Sequence, residues 1–148
     1  MVRSKICLTD VNVWIALAAE RHEHHTAARD WFESLEEHEA VFCRVTQMGF
    51  LRLLTNRSAL REDVLNPMAA WDRYRTLRRD WRVTFAGEPA AMERTWIHLM
   101  RLRTAPGAWT DAYLAAFALG HGYRFVSFDR GFSHWKDLRF TLLLPARR

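Results

Sequence analysis

WTDAYLAAFALGHGYRFVSFDRGF, the stretch Trp109–Phe132, decides the fold of this chain. Residues 110–119 place alanines and bulky apolar side chains at helical spacing, and two glycines follow that can end a helix. Thr110 or Asp111 offers a side-chain oxygen to the free N–H groups at the start of that helix. The first half of the stretch therefore predicts a helix that begins beside a carboxylate.

The second half of the stretch predicts a short buried strand. Residues 125–128 are mainly apolar, and Asp129 follows them directly, before an arginine and a glycine that do not readily extend a strand. In a parallel α/β sheet, the carboxyl ends of strands and the amino ends of helices lie at the same edge, where ligands bind. Asp111 and Asp129 are therefore expected to face one crevice.

The rest of the chain repeats this alternation of strand and helix. Strands are predicted at 6–8, 40–43, 82–85, 125–128 and 141–144, and helices at 11–19, 26–37, 44–56, 68–79, 89–102 and 110–119. A loop is predicted at 56–58, followed by an irregular or briefly helical segment. No linker-like stretch or internal repeat divides the 148 residues. The pattern predicts one α/β domain with a doubly wound parallel sheet.

Composition narrows the class of protein. The chain has 22 basic and 17 acidic residues, and only two of the basic residues are lysines. Guanidinium groups suit phosphates, so a polyanionic partner such as nucleic acid is one interpretation, and a genomic bias towards arginine is the other. No apolar run approaches the roughly 20 residues of a membrane span. Cys7 and Cys43 lie in apolar strand-like runs, which favours a reducing, cytoplasmic location over a disulfide framework.

Asp10 is a third aspartate at a strand-to-helix junction, because it follows the predicted strand 6–8. It is predicted either to cap the next helix or to join Asp111 and Asp129 in a catalytic cluster, and Asn12 either caps too or orients the carboxylate. Three carboxylates in one crevice repel each other unless a cation joins them. Hard carboxylate oxygens with open water positions suit Mg²⁺ or Mn²⁺, which assist phosphodiester cleavage.

The segment Arg21–His25, RHEHH, is the most conspicuous polar cluster. Its three imidazoles and one carboxylate have the ligand types of a zinc site, but no second ligand pair with suitable spacing stands elsewhere. We favour a solvated turn with a histidine near the start of the next helix.

Four blocks of sequence, in order, resemble PIN-domain ribonucleases, the toxin component of VapBC-type toxin–antitoxin pairs. The blocks are TDVNVWIAL at 9–17, TQMGFLRL at 46–53, TDAYL at 110–114 and FDRGF at 128–132. The resemblance spans 6–144, which is nearly the whole chain. It implies a PIN fold, a three-layer sandwich with a parallel five-stranded sheet flanked by helices.

The same resemblance implies a function. PIN toxins cleave RNA with Mg²⁺ or Mn²⁺, and a metal-activated water attacks the phosphodiester in line and leaves 5′-phosphate and 3′-hydroxyl ends. Asp10, Asp111 and Asp129 would be the metal-binding and catalytic acids. A cognate antitoxin, whose tail would occlude the acidic groove, and a homodimer are the implied protein partners.

Gln47 departs from the family pattern, because many PIN nucleases carry a further acid, usually glutamate, at the start of the middle helix. An amide oxygen can still bind a metal or a metal-bound water, but it brings no charge, so a single-metal site is favoured. The residues predicted to position a carboxylate or a water are Asn12, Thr46, Gln47 and Thr110. The predicted phosphate or antitoxin contacts are Arg52 and Arg130.

Two other functions stay open on the sequence. Asp10-Val11-Asn12 resembles the D-x-D opening of haloacid-dehalogenase-like phosphatases, although Asn12 stands where that class has a second carboxylate, and its helix-borne lysine has no counterpart here. Alternatively, the Gln47 departure marks a PIN domain that binds RNA without cutting it.

Overall fold

A computed structural model describes residues 5–146, and these residues form a parallel five-stranded sheet between two layers of helices. The strands are β1 Cys7–Thr9, β2 Ala40–Phe42, β3 Val83–Phe85, β4 Arg124–Ser127 and β5 Phe140–Leu142. The helices are α1 Val11–Ala18, α2 His25–Glu33, α3 Arg44–Leu54, α4 Arg57–Leu60, α5 Pro67–Arg79, α6 Met92–Met100 and α7 Ala108–His121. Two 3-10 helices span Arg61–Asp63 and Arg130–His134. The predicted three-layer α/β fold is confirmed.

The strand order β3-β2-β1-β4-β5 places a reversal of chain direction at the centre of the sheet. From β1 the chain moves outward to β2 and β3, then returns to β4 on the other side of β1 and continues to β5. Thr9 of β1 pairs with Val126 of β4 at this reversal. Ligands bind in the crevice outside the carboxyl ends of strands at such a point. Asp10 and Asp129 follow those two strand ends, so the topology carries both to the crevice.

The two faces of the sheet are covered by different helices, because successive residues of a strand point to opposite faces. Leu8, Val41 and Phe125 pack with the apolar side of α7 on one face. On the other face, Phe42 packs with residues of α1, α2, α3 and α5, and its ring stacks on Trp14 with 3.8 Å between centroids. The carboxyl edge of the sheet therefore stands on a buried core. Within residues 5–146, no helix is both long enough and apolar enough to cross a bilayer.

Helix α7 begins earlier than predicted, and this changes the role of its acid. The helix starts at Ala108 directly after Gly107, and the Asp111 N–H donates to the Gly107 carbonyl. Thr110 and Asp111 therefore lie inside the first turn, and neither caps the helix. Gly122, with φ of 71°, ends α7 in the left-handed conformation, as predicted from the glycines.

Other predicted helices differ at their ends. Helix α6 does not begin at 89, because Ala91 has φ of 62° and interrupts the helical path before Met92. Helix α2 ends at Glu33 rather than 37, where the Ser34 hydroxyl turns back to donate to the Trp31 carbonyl. The predicted loop at 56–58 instead opens the short helix α4.

The cap of α4 is Asn56, whose side-chain oxygen accepts the Ser58 N–H at 2.9 Å. This asparagine was predicted to lie in a loop because Asn, Arg and Ser in succession are typical turn residues. An asparagine oxygen can accept a free backbone N–H either in a turn or at the start of a helix. In this chain, Asn56 starts a helix.

Gly120 allows α7 to pass close to the segment before α6. A Cβ at position 120 would lie 2.5 Å from Cγ and 3.1 Å from Cβ of Pro89. Gly120→Ala is expected to lower the free energy of unfolding by about 1–3 kcal/mol, because the rigid proline ring cannot rotate away. The higher helix propensity of alanine than of glycine offsets at most about 1 kcal/mol of this loss of stability.

Thermal unfolding followed by circular dichroism tests this prediction, with Gly87→Ala as the matched control. Nothing lies within 4 Å of a Cβ at position 87, so that substitution should leave the Tm near the wild-type value or slightly above it. Equal Tm values for the two variants would contradict the close contact at Gly120.

Candidate active site

Asp10 joins the end of β1 to the start of α1. Its backbone is extended, with φ of −66° and ψ of 154°, and its Oδ1 accepts the Val11 N–H at 2.8 Å. The predicted helix cap is therefore confirmed. The second oxygen, Oδ2, is free of the cap and accepts the Ser127 hydroxyl at 2.6 Å. Both oxygens of this carboxylate are thus held in place by the chain.

Ser127 is the fully buried last residue of β4, and its hydroxyl connects three parts of the site. It donates to Asp10 Oδ2 and accepts the Asn12 side-chain N–H at 3.1 Å and the Asp129 backbone N–H at 2.9 Å. A hydroxyl has one hydrogen to donate and two lone pairs. All three are used here, so the hydroxyl fixes Asp10 relative to the chain after β4.

Asn12 acts on Asp10 through Ser127. Its side-chain nitrogen donates to the Ser127 hydroxyl, and its oxygen accepts the Phe128 N–H at 3.3 Å. The prediction that Asn12 orients the Asp10 carboxylate therefore takes an indirect form, with Ser127 as the intermediate. The sequence predicts a strand position for Ser127 and no function. The available signal was a hydroxyl in an otherwise apolar run, directly before Phe128 and Asp129.

Asp129 is exposed, and its Oδ1 accepts the Gly131 N–H at 2.8 Å at the start of the 3-10 helix. Asp111 is half-buried in the first turn of α7. Burial raises the pKa of Asp10 from 3.8 to about 6 against the lowering effect of the Ser127 and Val11 hydrogen bonds, and the charges of Asp111 and Asp129 raise it further. Burial and the Asp129 charge also raise the pKa of Asp111. The three predicted acids therefore share one electrostatic environment.

The three carboxylates are not assembled as a metal site in this arrangement. In the described range 5–146, no group of three His, Cys, Asp or Glu side chains is placed so that it could hold a metal ion. Repulsion between the carboxylates opposes closer approach, and both Asp10 oxygens are engaged by the chain. The donor chemistry nevertheless fits a hard divalent cation, since the charges of Asp111 and Asp129 already act on Asp10 and a cation would relieve that repulsion. The carboxylates must move closer to share one ion.

Gln47 and Thr46 lie at the start of α3, and both are buried. The Thr46 hydroxyl accepts the Cys43 N–H at 2.9 Å and donates to the Cys43 carbonyl at 3.1 Å, which caps the helix. Gln47 Oε1 accepts an Arg44 guanidinium N–H at 2.5 Å. The amide oxygen that was predicted to bind a metal or its water is therefore engaged by a cation of the chain itself.

The remaining predicted site residues lie on two different surfaces. Arg130 is exposed and follows Asp129 directly, and Thr110 is exposed next to Asp111. Arg52 lies in the last turn of α3 and lines a shallow groove together with Pro67 and other residues of the α3–α5 side. Arg130 and Thr110 therefore border the acids, whereas Arg52 borders a different surface.

The segment Arg21–His25 forms a turn, and His25 opens α2, as the favoured interpretation predicted. The turn is packed rather than fully solvated. The His25 ring donates to the Ala16 carbonyl at 2.8 Å, and the His24 ring stacks on Phe128 with 4.7 Å between centroids. The histidine turn therefore supports the segment that leads from β4 to Asp129.

Known proteins resemble this chain in both sequence and fold. The PIN domain family model matches residues 7–138. Ribonuclease VapC41 of Mycobacterium tuberculosis is 40% identical over 142 residues, which are 92% of this chain and 97% of that protein. The crystal structure of Mycobacterium tuberculosis VapC20, a Sarcin-Ricin loop cleaving toxin, superposes with a TM-score of 0.64 at 19% identity, over 86% of this chain and 93% of that one. VapBC-1 from nontypeable Haemophilus influenzae superposes with a TM-score of 0.67 at 14% identity, over 93% and 97%. The chain belongs to the PIN-domain family and, within it, to the VapC ribonucleases.

Proposed function

We propose that Asp10, Asp111 and Asp129 form the centre with which this toxin-type endoribonuclease cleaves RNA, with Mg²⁺ or Mn²⁺ as cofactor. The activity class follows from membership of the family and from the 40% sequence identity to ribonuclease VapC41. The observation that supports these residues is that the charges of Asp111 and Asp129 add to the raised pKa of Asp10, and the charge of Asp129 adds to the raised pKa of Asp111, at the switch point of the sheet. Acids perturbed by burial and by one another in a crevice are typical of functional sites.

The chain contributes positioning and charge. Asp10 is oriented by Val11 and Ser127, while Asp111 and Asp129 add two further anionic donors from α7 and from the turn after β4. When bound, a divalent ion supplies an activated water and neutralises charge on the phosphate. Arg130, next to Asp129, is placed to hold a neighbouring phosphate of the RNA.

We also propose the partners and the location. The similar structure of Haemophilus influenzae VapBC-1 is a toxin–antitoxin complex, which supports a cognate antitoxin for this chain. The antitoxin would cover the carboxylates, and Arg130 and Arg52 are candidate contacts. A homodimer is the proposed assembly. A cytoplasmic location fits an RNA substrate and the buried free thiols of Cys7 and Cys43.

The experiment is an RNA cleavage assay with the purified chain, free of antitoxin, in Mg²⁺, in Mn²⁺ and in EDTA. We expect cleavage with either metal and none in EDTA, with products that carry 5′-phosphate and 3′-hydroxyl ends by mass spectrometry. Salt-dependent RNA binding without cleavage in either metal would support the RNA-binding alternative. Turnover of an aryl phosphate without action on RNA would support the phosphatase alternative.

A further inference from the structure

A pocket of about 310 Å³ includes Thr110, the residue before Asp111, in its lining. It is lined by Arg44, Glu88, Trp96, Trp109, Thr110 and Tyr113, among others. The start of α3, the start of α7 and the segment after β3 all contribute to the lining, so the pocket lies at the carboxyl edge of the sheet, as the three acids do. Its size is at the lower end of the range of small-ligand sites, roughly 300–1,000 Å³.

Trp109 is 55% exposed, although its backbone is well fixed. The Trp96 indole N–H donates to the Trp109 carbonyl at 2.9 Å, and the two indoles meet at right angles with 6.0 Å between centroids. Trp96 meets Tyr113 edge-on at 5.2 Å. A large, exposed aromatic ring on a rigid frame is the arrangement that base-stacking sites use.

The charges in the pocket favour a base over a phosphate as the occupant. The Glu88 carboxylate accepts the Tyr113 hydroxyl at 2.7 Å, and its remaining lone pairs repel a phosphate but can accept N–H groups of a base. Arg44 lies at the rim, where Gln47 and the Phe85 ring, 4.9 Å from the guanidinium carbon, restrain it. This cation suits the phosphate that follows the base.

We propose that this pocket binds one unpaired nucleobase of the RNA substrate, adjacent to the cleaved phosphodiester, with the base stacked on Trp109. The proposal rests on the proposed function and specifies its substrate class. In a duplex, both faces of each base are already covered by neighbouring base pairs, so a base must be unpaired to enter. The enzyme therefore acts on single strands or loops.

Two other tryptophans clarify why Trp109 carries this role. Trp135 packs against Phe132 at 5.6 Å between centroids, and the Arg103 guanidinium lies 5.2 Å from its ring centroid, so it is not open in the same way. Trp81 is 58% exposed but lies before β3, at the amino edge of the sheet, opposite the carboxylates. Trp81 is therefore a control with similar exposure at the opposite edge, where the Arg82 guanidinium lies 5.5 Å from its ring centroid.

The test measures RNA binding in EDTA, where no metal-dependent cleavage interferes. The probes are a fluorescein-labelled single-stranded RNA of about 10 nucleotides, a length in the range of single-strand sites, and the same RNA annealed to its complement. Fluorescence anisotropy gives the Kd for each. We expect Trp109→Ala to weaken single-strand binding about 5- to 150-fold, as loss of one stacked base does, with little change for the duplex. Trp109→Phe should retain most of the affinity, and Trp81→Ala should retain all of it.

The outcomes separate this inference from the function on which it rests. If the wild type cleaves RNA but Trp109→Ala binds the single strand as the wild type does, the base pocket is wrong and the nuclease assignment stands. If the Trp109 and Trp81 variants lose affinity equally, or if duplex binding falls as much as single-strand binding, the pocket is again wrong. If the wild type neither binds nor cleaves RNA, both proposals fall. Unchanged Tm values confirm that the exposed substitutions leave the fold intact.

Discussion

Asp10→Asn is expected to abolish RNA cleavage while the protein stays folded. Asparagine caps a helix as well as aspartate does, so its oxygen can still accept the Val11 N–H. The amide nitrogen would then face Ser127, whose hydroxyl hydrogen can turn to Asn12 Oδ1 at 3.4 Å. Because a hydroxyl accepts only two hydrogen bonds, the new N–H takes the place of the Asn12 side-chain N–H on this oxygen. The variant therefore loses the negative charge and keeps the local structure. Because loss of a mere supporting partner of a metal ligand lowers activity about 10- to 100-fold, loss of the ligand charge should exceed about 100-fold.

The same variant has an expected pH dependence of stability in EDTA. The pKa of Asp10 is raised from 3.8 to about 6 in the folded protein, so its ionisation opposes folding. This penalty is absent below pH 3.8, grows as the pH rises towards 6, and is complete above it. The Tm of Asp10→Asn minus that of the wild type should therefore increase over this range. A difference that is independent of pH would contradict a buried, repelled carboxylate.

Asp72→Asn is the matched control for both measurements. Asp72 is an exposed carboxylate of α5, outside the crevice, and removing it changes the net charge of the protein by the same amount. Cleavage and the pH profile of the Tm should match the wild type. A comparable loss of cleavage in Asp72→Asn would mean that overall charge, rather than the Asp10 site, limits the reaction.

The parts of the site that depend on local chemistry could be predicted from the sequence. Asp10 caps α1 because an acid stands directly between an apolar strand and an apolar helix. Asp129 follows β4 because the arginine and glycine after it do not readily extend a strand. Asp111 was predicted to lie at the start of its helix, but it lies at the end of the first turn. The helix begins at Ala108, and the Asp111 N–H already donates to the Gly107 carbonyl.

Contacts between distant parts of the chain could not be predicted. The Ser127 hydroxyl contacts Asp10 across 117 positions of sequence, and nothing near Ser127 indicates that partner. The strand order, which brings β1 beside β4, is equally non-local. The convergence of the acids was therefore inferred from topology alone. The structure brings them within electrostatic reach but does not assemble them around an ion.

The structure shows a contact of Gln47 that its residue type alone did not predict. The sequence indicated the loss of a charge where PIN nucleases usually have an acid. In the structure, the Gln47 oxygen is bound by Arg44, so a cation stands beside the position where the family usually has a carboxylate. We therefore expect one metal ion rather than two, because a guanidinium opposes a second divalent cation at this place.

Ser127→Ala is expected to lower the cleavage rate about 10- to 100-fold, the loss typical for a residue that orients a metal ligand. The substitution removes the donor to Asp10 Oδ2 and the acceptor of the Asp129 N–H and the Asn12 side chain. These groups are buried or half-buried, so the free energy of unfolding should also fall by about 1–3 kcal/mol. Cleavage rates over a range of Mg²⁺ concentrations, together with thermal unfolding, measure both effects.

A positioning role differs from a purely structural one in its response to metal. If Ser127 holds Asp10 for the cation, the variant needs more Mg²⁺ for half-maximal cleavage, and excess Mg²⁺ restores part of the rate. Ser133→Ala is the control, since that exposed hydroxyl donates only to the nearby Arg130 carbonyl among the described contacts. In Asp10→Asn, the further change Ser127→Ala should add little to the loss of cleavage, because both act on one carboxylate. Fully additive losses would mean that Ser127 serves the reaction by a route other than Asp10.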